Sequence, residues 1–263
     1  MENEFVEIAL YQLCSSLDYK ENLEKIERAA QKVSQKKVKY LFLPECFYSM
    51  SNGLKPTPYL VEQGNEHFKH ISDIAKKNEI YLLAGSVAYK KDNQVINRAL
   101  NFAPDGSLID FYDKIHLFSC DLNNKAINES DIYTPGSTPK IIQVDKLKIG
   151  LGICFDVRFP EMGRDYSANG ANLLTYSSAF TVPTGKAHWH TLLKARAIEN
   201  QAFVVAAAQW GEHNERIRTY GHSLVVDPWG EVLLDAKEGE GLHFTTLNLS
   251  RVNEVRKSVK VFS

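Results

Sequence analysis

Four cysteines in 263 residues, none of them in a CxxC pair, leave no disulfide framework or thiolate metal cluster to read. A chain of this length buries enough surface to need no covalent staples, so Cys14, Cys46, Cys120 and Cys154 are expected as free thiols. A dominant sign of charge is also lacking. Lys plus Arg number 31 and Asp plus Glu 32, a formal net charge of −1, so nothing suggests a polyanion-binding surface. The most basic stretch, QKKVK at 35–39, closes a helical pattern, where lysines complement the helix dipole. No apolar run approaches the roughly 20 residues of a membrane-spanning helix. The start, MENEFVEIALYQL, has no basic region followed by an apolar run and a cleavage site. The expectation is a cytoplasmic protein with neither nucleic-acid nor membrane partners. No repeat, linker or low-complexity break divides the chain, so residues 1–263 are expected to form one domain.

What is present alternates strand and helix from end to end. Phe5–Leu13, Tyr40–Leu43 and Ile80–Val87 read as strands, and Glu21–Lys36 as a helix with Leu23, Ile26, Ala30 and Val33 on one face. Phe68, Ile71 and Ile74 mark a second helix. Val95–Phe102 and Leu108–Tyr112 flank the turn Pro104-Asp105-Gly106 and read as a hairpin. Ser119–Thr138 shows no period and is expected as a long polar loop, a kind that is more often functional than idle. Ile141–Val144 and Leu147–Cys154 make another hairpin. A helix from Glu161, a strand at Ala171–Tyr176 and a helix at His188–Glu199 follow. Phe203–Gln209, Ser223–Val226, Glu231–Leu234 and Leu242–Leu247 are strands, and Val252–Lys257 is a short helix. Hairpins mixed with strand–helix units point to an α/β fold with mixed sheets in layers.

Three strands end on three different chemical types. LKIGLGIC ends on Cys154, and Pro160 then suits the first turn of a new helix. A thiol at such a junction is expected to be exposed and to gain thiolate character. Gly150 and Gly152 permit close backbone approach beneath it. YLFLPE ends on Glu45, whose neighbours Leu43 and Phe47 should partly desolvate a carboxylate and make it a better base. LIDFYDK ends on Lys114, a cation able to hold a developing oxyanion. Glu129, in the expected loop, is a second carboxylate candidate. Carboxylate, ammonium and thiol together fit acyl transfer through a covalent thioester.

These segments resemble the nitrilase superfamily of carbon–nitrogen hydrolases, in order, over nearly the whole chain. LFLPE at 41–45 is similar to its first-glutamate motif, YDKIHLF at 112–118 to its lysine motif, and GICFDVRFPE at 152–161 to its nucleophile motif. AHWHTLLKARAIENQAFVVAAAQ and YGHSLVVDPWGEV resemble its later segments. The resemblance implies a four-layer α-β-β-α sandwich and hydrolysis of a small-molecule amide with no metal or organic cofactor. It implies Glu45 as general base, Lys114 as oxyanion-stabilising cation, Cys154 as nucleophile and Glu129 beside the lysine. The backbone N–H of Phe155, where tyrosine is common in the family, is implied as the second oxyanion donor. A homodimer is implied as well. SAFTVPTGKAHW at 178–189 is similar to the Nit branch, which acts on deaminated glutathione or on ω-amides of 2-oxo acids. Such substrates carry carboxylates, so Arg158 is expected as their anchor, with Thr184 adding a hydroxyl and Phe180 and Tyr48 walling the pocket.

Rival readings are weaker. A cysteine–histidine hydrolase would use His116 or His222 as base. His188 and His190 are two apart and do not share a helix face, so they make no metal pair. Gly221-His-Ser223 lacks the second glycine of a serine-nucleophile elbow. Gly150-Leu-Gly152 is not completed into a dinucleotide fingerprint, because position 155 is Phe. An interaction protein without catalysis on the same fold would normally have lost the nucleophile or the lysine, and both are present.

Overall fold

The computed structural model describes residues 4–122 and 125–262; residues 1–3, 123–124 and 263, with the part of the expected polar loop that they carry, lie outside it. In chain order the strands are β1 (Phe5–Gln12), β2 (Tyr40–Phe42), β3 (Tyr81–Leu83), β4 (Ser86–Lys91), β5 (Gln94–Phe102), β6 (Leu108–Asp113), β7 (Ser119–Leu122), β8 (Lys125–Asn128), β9 (Ile141–Val144), β10 (Leu147–Ile153), β11 (Leu173–Ser177), β12 (Phe203–Ala206), β13 (Trp210–Glu212), β14 (Arg218–Tyr220), β15 (Leu224–Val226), β16 (Val232–Asp235) and β17 (Gly241–Asn248). The helices are α1 (Tyr19–Gln35), α2 (Glu66–Asn78), α3 (Pro160–Ala168), α4 (Val182–Asn200) and α5 (Ser250–Ser258).

Two mixed sheets carry the architecture. The first runs β17-β1-β2-β3-β5-β4, with β6 also on β5, and the second runs β16-β15-β12-β11-β10-β9. Side chains alternate across a strand, and β1 shows how that alternation builds layers. Val6, Ile8 and Leu10 enter the core shared by the two sheets, while Ala9, Tyr11 and Leu13 enter the core under α1 and α2. β2 divides the same way, with Tyr40 and Phe42 on one side and Leu41 on the other. In the second sheet Ile149, Leu151 and Ile153 of β10 face the shared core. The opposite face of β10 is Gly150 and Gly152, and α3 lies on it. A Cβ at Gly150 would sit 2.5 Å from the Tyr166 ring. The layer order is therefore helix, sheet, sheet, helix.

Helix ends follow local chemistry. Asp18 caps α1 by accepting from the Lys20 N–H at 2.9 Å, and Asn65 caps α2 by accepting from Phe68 at 2.9 Å. The buried stripe Ile26, Ala29, Ala30 and Val33 fixes the inward face of α1. No helix among the described residues is long and apolar enough to cross a membrane.

Four expectations are corrected. Ile80–Val87 is two strands, because Ala84 takes φ 63° and Gly85 passes within 2.6 Å (Cβ position) of Leu43 and Phe47, so the chain leaves β3 and returns as β4. The segment expected as a structureless loop contains the ribbon β7–β8 and a 3-10 turn at Glu129–Asp131. The helix expected at His188 starts at Val182, since Pro183 in the first turn needs no N–H partner. The strand expected to reach Gln209 ends at Ala206, and the short ribbon β13–β14 follows.

Candidate functional site

Parallel pairing brings the expected residues to one edge of the two sheets. β1, β2 and β3 are parallel, as are β10, β11 and β12. The carboxyl ends of parallel strands are where a crevice opens. Glu45 follows β2, and Lys114 follows β6. Cys154 follows β10 beside the end of β11, where Ile153 is in register with Ser177. Gln209, leaving the second sheet, donates from Nε2 to the backbone oxygen of Glu45 at 2.9 Å, which ties the two sheets together beneath the site.

The Lys114 ammonium is fully buried between two carboxylates. It donates to Glu45 Oε1 at 2.8 Å and to Glu129 Oε2 at 2.7 Å. An ammonium has three N–H bonds, so one is left over. Burial opposes its charge, but Glu129 and Glu45 outweigh burial and hold its pKa well above the usual lysine value. Glu129 also accepts from the Phe118 N–H at 2.7 Å. Burial raises the Glu129 carboxyl above its ordinary range, and Lys114 opposes that rise.

Glu45 is held from three directions. Asn97 Nδ2 donates to Oε1 at 2.9 Å beside Lys114, and the Ala179 N–H donates to Oε2 at 2.8 Å. Cys154 opens onto the same cavity as Glu45. Cys154 is buried, where an exposed thiol with thiolate character was expected. Burial and then the Glu45 charge push the Cys154 thiol well above its ordinary value, so the resting sulfur carries a proton. Cys46, also facing the crevice, is kept a thiol by burial and Glu45 in the same way.

Cys154 takes φ 48°, a left-handed conformation that costs a non-glycine residue on the order of 1 kcal/mol. Asp156, fully buried, holds that turn. Its Oδ2 accepts from the Ile153 N–H and from Tyr112 Oη, both at 2.8 Å, and its Oδ1 accepts from the His116 N–H at 3.1 Å. His116 Nδ1 lies 2.7 Å from the same oxygen, and the His116 ring stacks on Phe159. His116 is therefore part of the support under the nucleophile turn and not a wall of the crevice, which removes it as a base for Cys154.

The crevice is a cavity of about 560 Å³. Glu45, Glu129 and Cys154 open onto it, as do Phe155, Arg158, Phe180 and Thr184. The Phe180 ring is set by Trp189, fully buried with its ring centroid 4.7 Å away. Thr184 Oγ1 lies 2.8 Å from Thr181 Oγ1. Arg158 lies 5.7 Å from the Phe155 ring and 5.5 Å from Phe180, with Nη2 at 3.2 Å from His188 Nδ1. Among the described residues no carboxylate pairs with it. Tyr48 does not wall the cavity. Its ring is buried against Tyr19, and its hydroxyl lies 2.7 Å from His67 Nδ1. Cys46, at φ 53°, turns the chain so that Tyr48 points under α2 instead.

Sequence reasoning missed Asn97, Asp156 and the Ala179 N–H. It also missed Arg216, a second guanidinium on the cavity rim, in the turn between β13 and β14. Asn214 Oδ1 accepts from the Arg216 N–H at 3.0 Å and shapes that turn. β5 reads QVINRALNF, with Asn97, Arg98 and Asn101 all buried, so its local pattern does not single out Asn97. The others depend on which loops meet in space.

Comparisons with known proteins give the family and the fold. The carbon–nitrogen hydrolase family model matches residues 7–257. The nitrilase and fragile histidine triad fusion protein NitFhit of Caenorhabditis elegans is 37% identical over 97% of this chain, which spans 60% of that protein's length. Omega-amidase NIT2 of Homo sapiens is 35% identical, covering 97% of this chain and 93% of its own. Deaminated glutathione amidase of Dictyostelium discoideum is 35% identical, covering 99% and 94%. The crystal structure of the C. elegans fusion protein superposes with a TM-score of 0.90 over 100% of this chain and 65% of that one, at 34% identity. Saccharomyces cerevisiae Nit3, a member of the nitrilase superfamily, superposes with a TM-score of 0.86 over 98% and 96%, at 30% identity. A glutamate-to-glutamine mutant of the amidase from Nesterenkonia sp. AN1, with a TM-score of 0.83 over 98% and 96% at 25% identity, carries the acetamide moiety of fluoroacetamide on its active-site cysteine.

Proposed function

The chain belongs to the carbon–nitrogen hydrolase family, and on that premise we propose that it hydrolyses a small carboxylate-bearing amide, deaminated glutathione, through a thioester on Cys154. The observation that carries this reading is the fully buried Lys114 ammonium held between Glu45 and Glu129, with both carboxylates and Cys154 opening onto one cavity.

The chemistry follows from the protonation states. The Cys154 thiol is neutral at rest, so it needs a base as it attacks. Glu45 takes the thiol proton while sulfur bonds to the amide carbon. The carbonyl oxygen becomes an oxyanion, met by the remaining Lys114 N–H and the Phe155 backbone N–H. Glu45 returns its proton to the leaving amine as the carbon–nitrogen bond breaks. Water then attacks the thioester, giving its proton to Glu45 and its hydroxyl to the acyl carbon. The proton passes to sulfur as the acid departs. Throughout, Lys114 offsets negative charge that would otherwise accumulate on Glu45, Glu129 and sulfur together.

The substrate class rests on the cavity. Arg158, paired with no carboxylate among the described residues, supports binding of the 2-oxo acid carboxylate. Arg216 at the rim supports a second carboxylate on the leaving group, as in the cysteinylglycine half of deaminated glutathione. The short ω-amides are the second reading, favoured by the 35% identity to an omega-amidase. The test compares cysteinylglycine release from deaminated glutathione with ammonia release from 2-oxoglutaramate. We expect the higher kcat/KM for the former, and for Arg158→Ala a loss of about 10–150-fold, from the ~1.5–3 kcal/mol of a hydrogen bond to a charged group. Hydrolysis of neither compound overturns the proposal. A preference for 2-oxoglutaramate moves it to the second reading. The proposal includes a cytoplasmic homodimer, supported by exposed Ile198, Trp229, Val232 and Leu233, which a partner subunit would cover. Sedimentation of a single-chain species at micromolar concentration would remove that part.

A further inference from the structure

Away from the cavity, two histidines and one aspartate converge from three elements. His190 stands on α4, His222 on the turn before β15, and Asp235 at the end of β16. None of the three lines the cavity. His222 Nδ1 lies 2.9 Å from Asp235 Oδ1, and His190 Nε2 lies 3.2 Å from Asp235 Oδ2. All three ligand atoms fall within 4.8 Å of one another. The site is partly sheltered: side-chain exposure is 35% for His190, 15% for His222 and 11% for Asp235.

The placement is supported from outside. His222 is held at φ 55°, in the left-handed region. Its backbone oxygen accepts from Trp189 Nε1 at 2.7 Å, and its ring stacks on Tyr220 with centroids 4.3 Å apart. Trp189 is fully buried, so the His222 backbone is anchored to the core. The His190 and His222 rings meet at 76° with centroids 5.1 Å apart, an edge arrangement that leaves their nitrogens converging on Asp235 instead of stacking away from it.

We propose that His190, His222 and Asp235 form a binding site for a zinc-type divalent transition-metal ion. Two imidazole nitrogens with one carboxylate suit zinc, cobalt or nickel, whereas calcium and magnesium take oxygen shells. Bonds of about 2.05 Å in a tetrahedron put ligand atoms about 3.4 Å apart. Asp235 meets the two histidines through different oxygens, Oδ1 at 2.9 Å and Oδ2 at 3.2 Å, and the three ligand atoms lie within 4.8 Å of one another, so admitting the ion takes side-chain shifts of up to about 1.4 Å. Three protein ligands leave the fourth position to water on the exposed side.

Lys237 is the competitor. Its ammonium donates to Asp235 Oδ2 at 2.7 Å, the oxygen that would face His190. Its side chain is 72% exposed, so it can swing into solvent when a cation arrives. The Lys237 N–H also donates to Asp235 Oδ1 at 3.0 Å. Because the cluster joins α4 to β16 across the turn before β15, an ion there would staple the outer helix layer to the edge of the second sheet. The proposal is independent of the amidase reading.

Titration calorimetry of the chelator-treated full chain with zinc chloride tests it. We expect one equivalent bound, weakened at least tenfold in His190→Ala and in Asp235→Asn, and tightened in Lys237→Ala. The zinc complex should also melt higher than the chelated chain. Cobalt(II) separates this site from a thiolate: intense visible bands without a near-ultraviolet sulfur-to-metal band are expected. Circular dichroism confirms that the variants are folded. Absence of binding overturns the proposal. So does binding that His190→Ala and Asp235→Asn leave unchanged, or a sulfur-to-metal band that Cys154→Ser removes.

Discussion

Replacing Lys114 by methionine keeps most of the side-chain volume and removes the ammonium that separates Glu45 from Glu129. Two carboxylates, each within 2.8 Å of that nitrogen, then share a buried space without a cation. Breaking a buried ion pair by deleting one partner costs about 3–5 kcal/mol. A chain of this size loses about 2–4 °C of melting temperature per kcal/mol, so the variant should melt about 6–20 °C lower at pH 7. Acidification should narrow the gap, because a carboxyl that takes up a proton no longer needs the ammonium. Glu129, already raised by burial, is the carboxyl expected to do so first. The double variant Lys114→Met with Glu129→Gln removes one of the orphaned charges and should recover about half of the lost stability. It should not recover turnover, since the oxyanion donor is gone; that loss is expected at about 100- to 1,000-fold in kcat. Thermal melts of the three proteins at pH 5 and pH 7, with amide hydrolysis measured on the folded fraction, give the answer. A Lys114→Met protein that melts within 2 °C (about 1 kcal/mol) of the parent at pH 7 refutes the reasoning, as does turnover regained in the double variant.

Cys154→Ala should abolish hydrolysis with the fold retained, and thioester trapping by mass spectrometry should fail in it. Cys154→Ser additionally tests the protonation state. The folded thiol is raised above its unfolded value of about 8.5, so its stabilising contribution is complete below that pH and is lost above it at about 1.4 kcal/mol per pH unit until the folded value is reached. The parent should therefore lose stability relative to Cys154→Ser between pH 8 and pH 10 in denaturant melts; parallel losses would show an unshifted thiol. Gly150→Ala drives a methyl to 2.5 Å from the Tyr166 ring and should cost about 1–3 kcal/mol by forcing α3 off the sheet. An unchanged melting temperature would mean that α3 does not press on β10 there.

The elements of this fold were legible because their periods are local. The inward stripe of α1, the alternation along β1 and the turn at Pro104-Asp105-Gly106 each depend on residues within a few positions of one another. Boundaries failed where a non-local contact overrode the local pattern. Ala84 and Gly85 break a continuous apolar run because Leu43 and Phe47, from another strand end, occupy the space that a straight strand would need. Tyr48 looked like a pocket wall from its place near Glu45, but the left-handed turn at Cys46 sends it into the aromatic cluster under α2.

By itself the sequence determined the alternation of strands and helices, and it set Glu45, Lys114 and Cys154 each just beyond a strand end. Those are properties of short segments, carried by side-chain period and by the residue that follows the last apolar position. Only the tertiary structure decided that the three meet, since Glu45 and Lys114 belong to one sheet and Cys154 to the other, and register across the shared core sets their separation. It also decided their protonation, because the burial and opposing charges that keep Cys154 a thiol and Lys114 an ammonium come from residues far along the chain. The convergence of His190, His222 and Asp235 has the same cause. His222 and Asp235 are 13 residues apart, just before β15 and at the end of its paired strand β16, but His190, 45 residues from Asp235, reaches it only when the helix layer is laid against that sheet edge.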